Sequence, residues 1–320
     1  MADYKDIIGL DIEAKSANPT DVITGEIWFN TTTGKLSYKK PDGANVWSTG
    51  GNLNVGRRIA GQGTVGTYTS ALCISGLDGY AAKSENEAYN GTAWTELADV
   101  NINRYSAASF GANSSSAIFC GGFGPPTGRT ENESWNGSAW SETTDLSNAR
   151  NYALGAGTQT AGIVFAGEPQ TESWNGSAWT EVNDVNAARY SSGNSGTQTS
   201  ALNFGGAPPY LGGSATESWN GTTWTEVADL NKTRKTYMGA GTSNTNALTA
   251  GGVPVSPTAL CESWNGTAWT EVNDFNTAPK TEHMGAGSNT NAIMYGGGFG
   301  SSHDTEEWAA VDGTQTVDDA

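Results

Sequence analysis

The stretch Glu133-Ser134-Trp135-Asn136-Gly137-Ser138-Ala139-Trp140 decides the reading of this chain, because it returns almost unchanged at 172–179, 217–224 and 262–269. A variant with Tyr89 for the first Trp runs over 87–94. Ahead of each copy lies a short apolar stretch ending in a small doublet: Ala71–Gly76, Ala117–Gly122, Gly162–Gly167, Ala201–Gly206 and Ala247–Gly252. A sixth, Ala292–Gly297, precedes Trp308. The start-to-start spacings of these stretches are 46, 45, 39, 46 and 45 residues.

Each unit holds four strand-like runs, denoted a to d. In the third unit a is Tyr152–Gly157, b is the apolar stretch, c surrounds Glu172-Ser173-Trp174 and d begins at Trp179. Four short strands on a period in the forties predict a β-propeller, all-β, with six four-stranded blades. The Asn-Gly pair between c and d predicts a type I′ hairpin, which needs positive φ at both central residues. The glycine doublet is expected to let b pack closely or bulge near a crowded axis. Composition agrees: of 320 residues 43 are Gly, about twice the usual share of roughly 7%, and only 15% are charged. Such a chain suits strands and tight turns.

These features together resemble the kelch family. Kelch units carry a Gly-Gly doublet on the second strand, an aromatic on each of the third and fourth, and an Arg in the connection to the next blade. Here the aromatics are Trp135, Trp140 and their counterparts, and the connections supply Arg57, Arg104, Arg150, Arg189 and Arg234. The sixth connection departs, with Pro279 and Lys280, keeping a charge but losing the bidentate guanidinium. The resemblance covers residues 45–310 and implies a fold; it says little about activity.

A propeller must close, since open strand edges invite pairing with other chains. The sixth c run, Glu306–Ala309, has no d run after it, whereas Val46-Trp47-Ser48-Thr49 leads into Arg57 as every d run leads into its connection. Trp47 is therefore expected beside Trp308, the N-terminal strand completing the last blade. Lys35–Lys39 competes with Glu306–Ala309 for the c position, and the spacing from strand b favours the C-terminal segment.

The formal net charge of -17 opposes nucleic acid and anionic membranes as partners. No apolar run long enough to span a bilayer is present, and the first 25 residues show no secretory core. Cys73, Cys120 and Cys261 are an odd number, far apart, and read as buried thiols. Some propellers are enzymes, among them kelch-type copper oxidases and sialidases. Copper needs several converging His or Tyr ligands, and the chain has only His283 and His303. No sialidase box is found. The carboxylates Glu96, Glu142, Glu181, Glu226 and Glu271, with Asp99, Asp145, Asp184, Asp229 and Asp274, recur once per unit, whereas acid–base chemistry needs distinct partners. The expectation is no enzyme, no metal and no cofactor, with the repeated Asp bonded to Arg across each connection. The sequons at Asn90, Asn136, Asn175, Asn220 and Asn265 are explained by their turns, and the Trp pairs by blade packing.

Length variation falls in the b–c loops. From the first c aromatic to the next b is 28, 27, 27, 28 and 28 residues, but from b to that aromatic is 18, 18, 12, 18, 17 and 16. Strand alternation places b–c loops and d–a connections on one face, and individuality there marks it as the contact face. Candidates for a receptor or glycan are Tyr80, Phe123, Tyr210, Phe299 and His303, stiffened by Pro125 and Pro126 and by Pro208 and Pro209.

Residues 1–24 read as an extended arm and 311–320 as an acidic tail. Between arm and propeller (44–310), the pattern Gly25, Ile27, Phe29, Asn30, Thr33, Gly34, Lys35, Leu36 and Tyr38, then Asp42, Gly43 and Trp47, reads as a hairpin over 25–43. It resembles a small module of tail-fibre and other virion proteins of tailed bacteriophages, marine phages included. That resemblance implies a non-enzymatic virion protein that docks on other virion proteins through residues 1–43, Ile27, Trp28, Phe29 and Tyr38 among them. The propeller would then meet the host surface, and the chain could assemble as a homo-oligomer. The alternatives are a free lectin or interaction propeller of a bacterium, capsid decoration alone, and a glycan-active enzyme.

Overall fold

The computed structural model describes residues 13–16, 27–32, 34–39, 45–124, 127–207, 212–236, 239–253, 258–276, 281–298, 300–309 and 314–316, and among these it contains strands and no helix. The chain divides into two compact units, Val46–Ala309 and a smaller one of Met1–Asn45 with Ala310–Ala320. The larger is a six-bladed β-propeller of four-stranded antiparallel blades. Blade 2 serves as the pattern, with a at Ala108–Asn113, b at Ser116–Cys120, c at Asn132–Trp135 and d at Trp140–Glu142.

The sixth blade consists of Met284–Gly287, Ala292–Tyr295, Thr305–Ala309 and, from the other end of the propeller, Val46–Thr49. Trp308 stands opposite Trp47 in antiparallel register, so the expected closure is the one found. Lys35–Lys39 is the third strand of no blade. It pairs with Ile27–Asn30 and Thr314–Thr316 in the smaller unit.

The aromatic pairs set the c–d register. Trp135 faces Trp140, Trp174 faces Trp179 and Trp219 faces Trp224, with ring centroids 5.3, 5.0 and 5.4 Å apart. Four residues therefore lie between the paired rings, and the two-residue type I′ turn expected from Asn-Gly does not form. Only the glycine is left-handed, at φ +93° in Gly137 and Gly176. Asn136 instead caps the loop, its Oδ1 accepting from the N–H groups of Ser138 and Ala139 at 2.9 and 3.0 Å. This is an Asx turn held by a side chain.

Apolar clusters form between blades. Leu72 and Ile74 of blade 1 pack with Phe119, Trp135 and Trp140 of blade 2, and the pattern repeats around the ring. A single blade has two apolar faces and is stable only when both are covered, which is why the repeats fold as one ring.

The glycine doublet packs closely, as expected, a Cβ on Gly122 standing 2.6 Å from that of Ala107 and one on Gly297 2.6 Å from the Thr281 carbonyl oxygen, and it does a further job. It lies past the end of b, with both residues left-handed: Gly121 and Gly122 at +65° and +96°, Gly296 and Gly297 at +67° and +86°. The bend aims the second N–H at the carbonyl of the next connection's arginine. Gly122 donates to Arg150 at 2.8 Å, Gly206 to Arg234 at 3.0 Å, and Gly297 to Arg57 at 2.9 Å across the closure.

The arginines also depart from expectation. Their partner is the glutamate of the Glu-Ser-Trp phrase and not the aspartate after d. Arg104 meets Glu133 at 2.8 Å, Arg150 meets Glu172 at 2.5 Å and Arg234 meets Glu262 at 2.7 Å, every side chain at 0% exposure. Arg57 with Glu87 and Arg189 with Glu217 repeat the arrangement. The glutamate also accepts from connection N–H groups, as Glu262 does from Asn231 at 2.8 Å. A buried carboxylate is tolerable because each of its oxygens accepts a hydrogen bond, as in Glu172 from Arg150 and from the Ser147 N–H. The aspartates serve the loops, Asp145 accepting from the Asn132 N–H at 3.2 Å and Asp99 from Ser84 Oγ at 2.9 Å. In the sixth connection, Pro279 and Lys280 lie outside the described residues.

In the smaller unit the sheet order is Glu13–Lys15, Ile27–Asn30, Lys35–Lys39, Thr314–Thr316, the first pair parallel and the others antiparallel. Gly34 is left-handed at φ +69°, as its turn requires. Arm and tail thus each add a strand to the hairpin.

Candidate binding face

The connections and the b–c loops share one face. Backbone bridges join Arg58 to Leu77, Tyr105 to Phe123, Tyr190 to Ala207 and Lys235 to Val253, each a connection residue on a b–c loop residue. After each connection the chain turns into strand a, and the second residue after Arg57, Arg104, Arg150 and Arg189, with Glu282 in the sixth unit, is left-handed without being glycine. The values of φ are 41° at Ile59, 51° at Ser106, 53° at Tyr152, 55° at Ser191 and 59° at Glu282. Such a conformation costs an L-residue roughly 1–2 kcal/mol.

What holds these residues is a belt of backbone bonds running blade to blade. Ile59 donates to the Glu282 carbonyl at 2.9 Å, Ser106 to Ile59 at 3.0 Å, Tyr152 to Ser106 at 2.9 Å and Thr236 to Ser191 at 3.0 Å. These bonds join blades 6, 1, 2 and 3 in one run and blades 4 and 5 in another, and the residues they link form the rim of a mouth on this face. Strain held in place by surrounding structure is a common companion of ligand sites.

The six-fold repeat breaks at this rim. The residue before each belt position is Arg58, Tyr105, Asn151, Tyr190, Lys235 or Thr281. The Arg58 guanidinium bonds Glu282 and also donates to the Gly79 carbonyl at 3.1 Å. Tyr105 packs on Phe123 with centroids 5.1 Å apart, and Tyr152 meets Tyr190 edge to face at 5.7 Å. All four rings are half-buried. Burial, then the neighbouring Tyr152, raises the Tyr105 hydroxyl above its ordinary pKa, against the pull of Arg58. Burial and then Glu282 do the same to Tyr152, again opposed by Arg58. Arg58 therefore acts on both hydroxyls, and Glu282 on that of Tyr152.

Below the rim the start of blade 1 reaches inward to two other blades. Gln62 receives at its carbonyl the N–H of Ser109 in blade 2 at 2.9 Å and that of Gly155 in blade 3 at 3.2 Å. Gly63 bridges Gly155, and Val65 bridges Gly111. The start of blade 1 therefore lies where blades 2 and 3 meet on their axial side. Gly63 is obligatory there: at φ +142°, a Cβ would stand 1.9 Å from the Ser109 carbonyl oxygen. In and near this segment Gln62 Oε1, Ser106 Oγ and Ser109 Oγ are buried and bond no described residue.

Of the residues singled out in the sequence, Tyr80 stands at the tip of the hairpin Ser70–Asp78 with Ala81–Tyr89 and is 98% exposed. Its neighbour Gly79 ties that tip to the mouth, accepting from Arg58 and donating to Ser301 Oγ at 2.9 Å. Phe123 belongs to the rim through Tyr105. His303 is exposed, but its Nδ1 lies 2.9 Å from the Leu53 carbonyl oxygen, which anchors the last loop to the first connection. Pro125, Pro126, Pro208, Pro209, Tyr210 and Phe299 lie outside the described residues. In the smaller unit Ile27 and Phe29 share one face, each 40% exposed, Trp28 is buried on the other, and Tyr38 stands opposite Ile27.

Arg58, Tyr105, Tyr152, Tyr190 and Glu282 escaped the sequence reading, which sought individuality in loop length. The available signal was variation of residue type in a segment of frozen length, immediately after each connection arginine. Among the described residues no three His, Cys, Asp or Glu side chains are grouped to hold a metal ion. No protein-family model and no curated protein matches this chain.

Proposed function

We propose that the chain is a non-enzymatic virion protein of a tailed phage, a tail-fibre or appendage component whose propeller attaches to the host surface. Residues 1–43 would seat it on other virion proteins. The observation that carries the binding reading is the broken symmetry of the mouth: a ring otherwise built from copies gathers one Arg, one Glu and several tyrosines of different surroundings at a single rim. The glutamates of the repeated Glu-Ser-Trp phrase offer no rival site, since Glu87, Glu133, Glu172, Glu217 and Glu262 are buried on arginines. Ligand sites commonly combine aromatic walls with a few oriented polar groups, as here.

The virion part of the reading is supported by the kelch-like repeat and by the hairpin pattern, with Ile27 and Phe29 presenting apolar side chains on one face of the small sheet. Mass spectrometry and cryo-EM of purified particles test it. The expected result is this chain on the particle surface with residues 1–43 against other virion chains. A particle fraction lacking the chain overturns it.

A further inference from the structure

Resting on that attachment reading, we propose that the axial mouth takes the terminal residue of an uncharged glycan, with the tyrosine rings against the sugar's C–H face and the Arg58–Glu282 pair bonding its hydroxyls. Four observations select this ligand class. The rings of Tyr105, Phe123, Tyr152 and Tyr190 are half-buried, so they offer fixed faces at little entropic cost. Three of them also carry a hydroxyl, which suits a ligand apolar on its ring faces and polar at its edges.

The ion pair argues against a charged ligand. Arg58 and Glu282 already neutralise each other, with side chains at 10% and 13% exposure, and an anionic or cationic sugar would have to compete for one partner and strand the other. A neutral sugar needs no such exchange, because a guanidinium edge and a carboxylate side by side match the donors and acceptors of adjacent hydroxyls. The net charge of -17 acts in the same direction by repelling polyanionic surfaces at a distance.

The inward reach of blade 1 sets the mode of binding. Gln62 and Gly63, bonded to blades 2 and 3 below the rim, narrow the axis toward a chain end and away from a threading polysaccharide, and Gln62 Oε1, Ser106 Oγ and Ser109 Oγ, which bond no described residue, leave polar capacity nearby. Tyr80, wholly exposed on the tip that Gly79 fastens to Arg58, stands where an arriving glycan makes its first contact.

The test uses the full chain and saturation-transfer difference NMR. The neutral probes are the methyl glycosides of glucose, galactose, mannose and N-acetylglucosamine; the acidic probes are glucuronic acid and N-acetylneuraminic acid. At least one neutral probe should receive saturation, and the acidic ones none. Tyr152→Ala should abolish the transfer. Should that variant fold poorly, Tyr80→Ala sits at a fully exposed position and is expected to weaken binding about tenfold, some 1.4 kcal/mol, while leaving Tm unchanged. Thr222→Ala, on the opposite face, should leave it intact. Binding of acidic probes alone, or neutral binding indifferent to Tyr80 and Tyr152, overturns the proposal. So does silence from every sugar; if labelled protein then still adsorbs to bacterial cells, attachment stands with a protein receptor, and if it does not, both readings fall.

Discussion

Trp47 and Trp308 face each other across the closing pair of strands, their ring centroids 5.3 Å apart and both side chains buried. The Trp47 indole N–H also donates to the Asn273 carbonyl of blade 5 at 3.1 Å, and Asn276 donates to the Trp47 carbonyl. One residue from the beginning of the propeller thus completes the last blade and fastens it to its neighbour. Closure through one shared blade converts a row of wedges with two open edges into a ring with none.

Trp308→Ala should therefore lower stability by about 3–5 kcal/mol, the cost of emptying a large buried site. Deleting residues 1–49 should do worse, because it bares the edge of Thr305–Ala309, while a chain starting at Val46 retains every blade strand and should keep the main unfolding transition. Urea titrations of the three chains, with size-exclusion profiles for aggregation, measure this.

The two glutamates of one cross-strand pair should behave in opposite ways. Glu172 and Glu181 are direct partners on c and d of blade 3, the first buried on Arg150 and the second exposed. Glu172→Ala leaves a buried guanidinium uncompensated and should cost about 3–5 kcal/mol. Glu181→Ala should shift stability by no more than about 0.5 kcal/mol. Equal effects in denaturant unfolding would mean that the buried pairs do not lock the blades.

The start of blade 1 has its own signature. Gly63→Ala places a methyl 1.9 Å from one backbone oxygen and 2.4 Å from another, with no side chain able to yield. A loss of at least about 3 kcal/mol is expected, seen as a lower Tm. Gly34→Ala, whose Cβ would meet nothing within 4 Å, should cost only about 1–2 kcal/mol of the smaller sheet's stability through its positive φ. If Gly63→Ala is as mild, the start of blade 1 is not held against blades 2 and 3.

The three thiols give a pH test. Burial pushes Cys73, Cys120 and Cys261 each up to about 12, whereas an unfolded thiol ionises near about 8.5. A folded pKa above the unfolded one means a contribution that is whole below about pH 8.5 and is lost as pH climbs toward 12. Stability should fall across that alkaline window, and a disulfide reagent at pH 8 should titrate no thiol in the folded chain but all three in guanidinium. Prompt native reactivity would contradict the burial.

The architecture was legible because it is written as local pattern. Period, paired tryptophans and the orphaned d run at Val46–Thr49 sufficed for six blades and their closure, since each sheet has two apolar faces that only a like neighbour covers. Asn-Gly marks its turn but not the turn type, since loop length follows from which aromatics face each other; the doublets pack closely as their sequence implies, while the aim of their left-handed bend is set by a carbonyl of the following connection. Arginine's partner was placed wrongly, because Asp and Glu repeat equally often and only distance in the folded blade distinguishes them.

The mouth belongs to tertiary structure alone. Arg58 and Glu282 are 224 residues apart and become partners because the ring closes between them. Tyr105 and Tyr152 join them because connections converge at the axis, where wedges narrow and residues from several blades come within reach of one another. No periodicity encodes that meeting. Repetition determined the ring; the convergence of its unlike residues at the centre required the ring to exist.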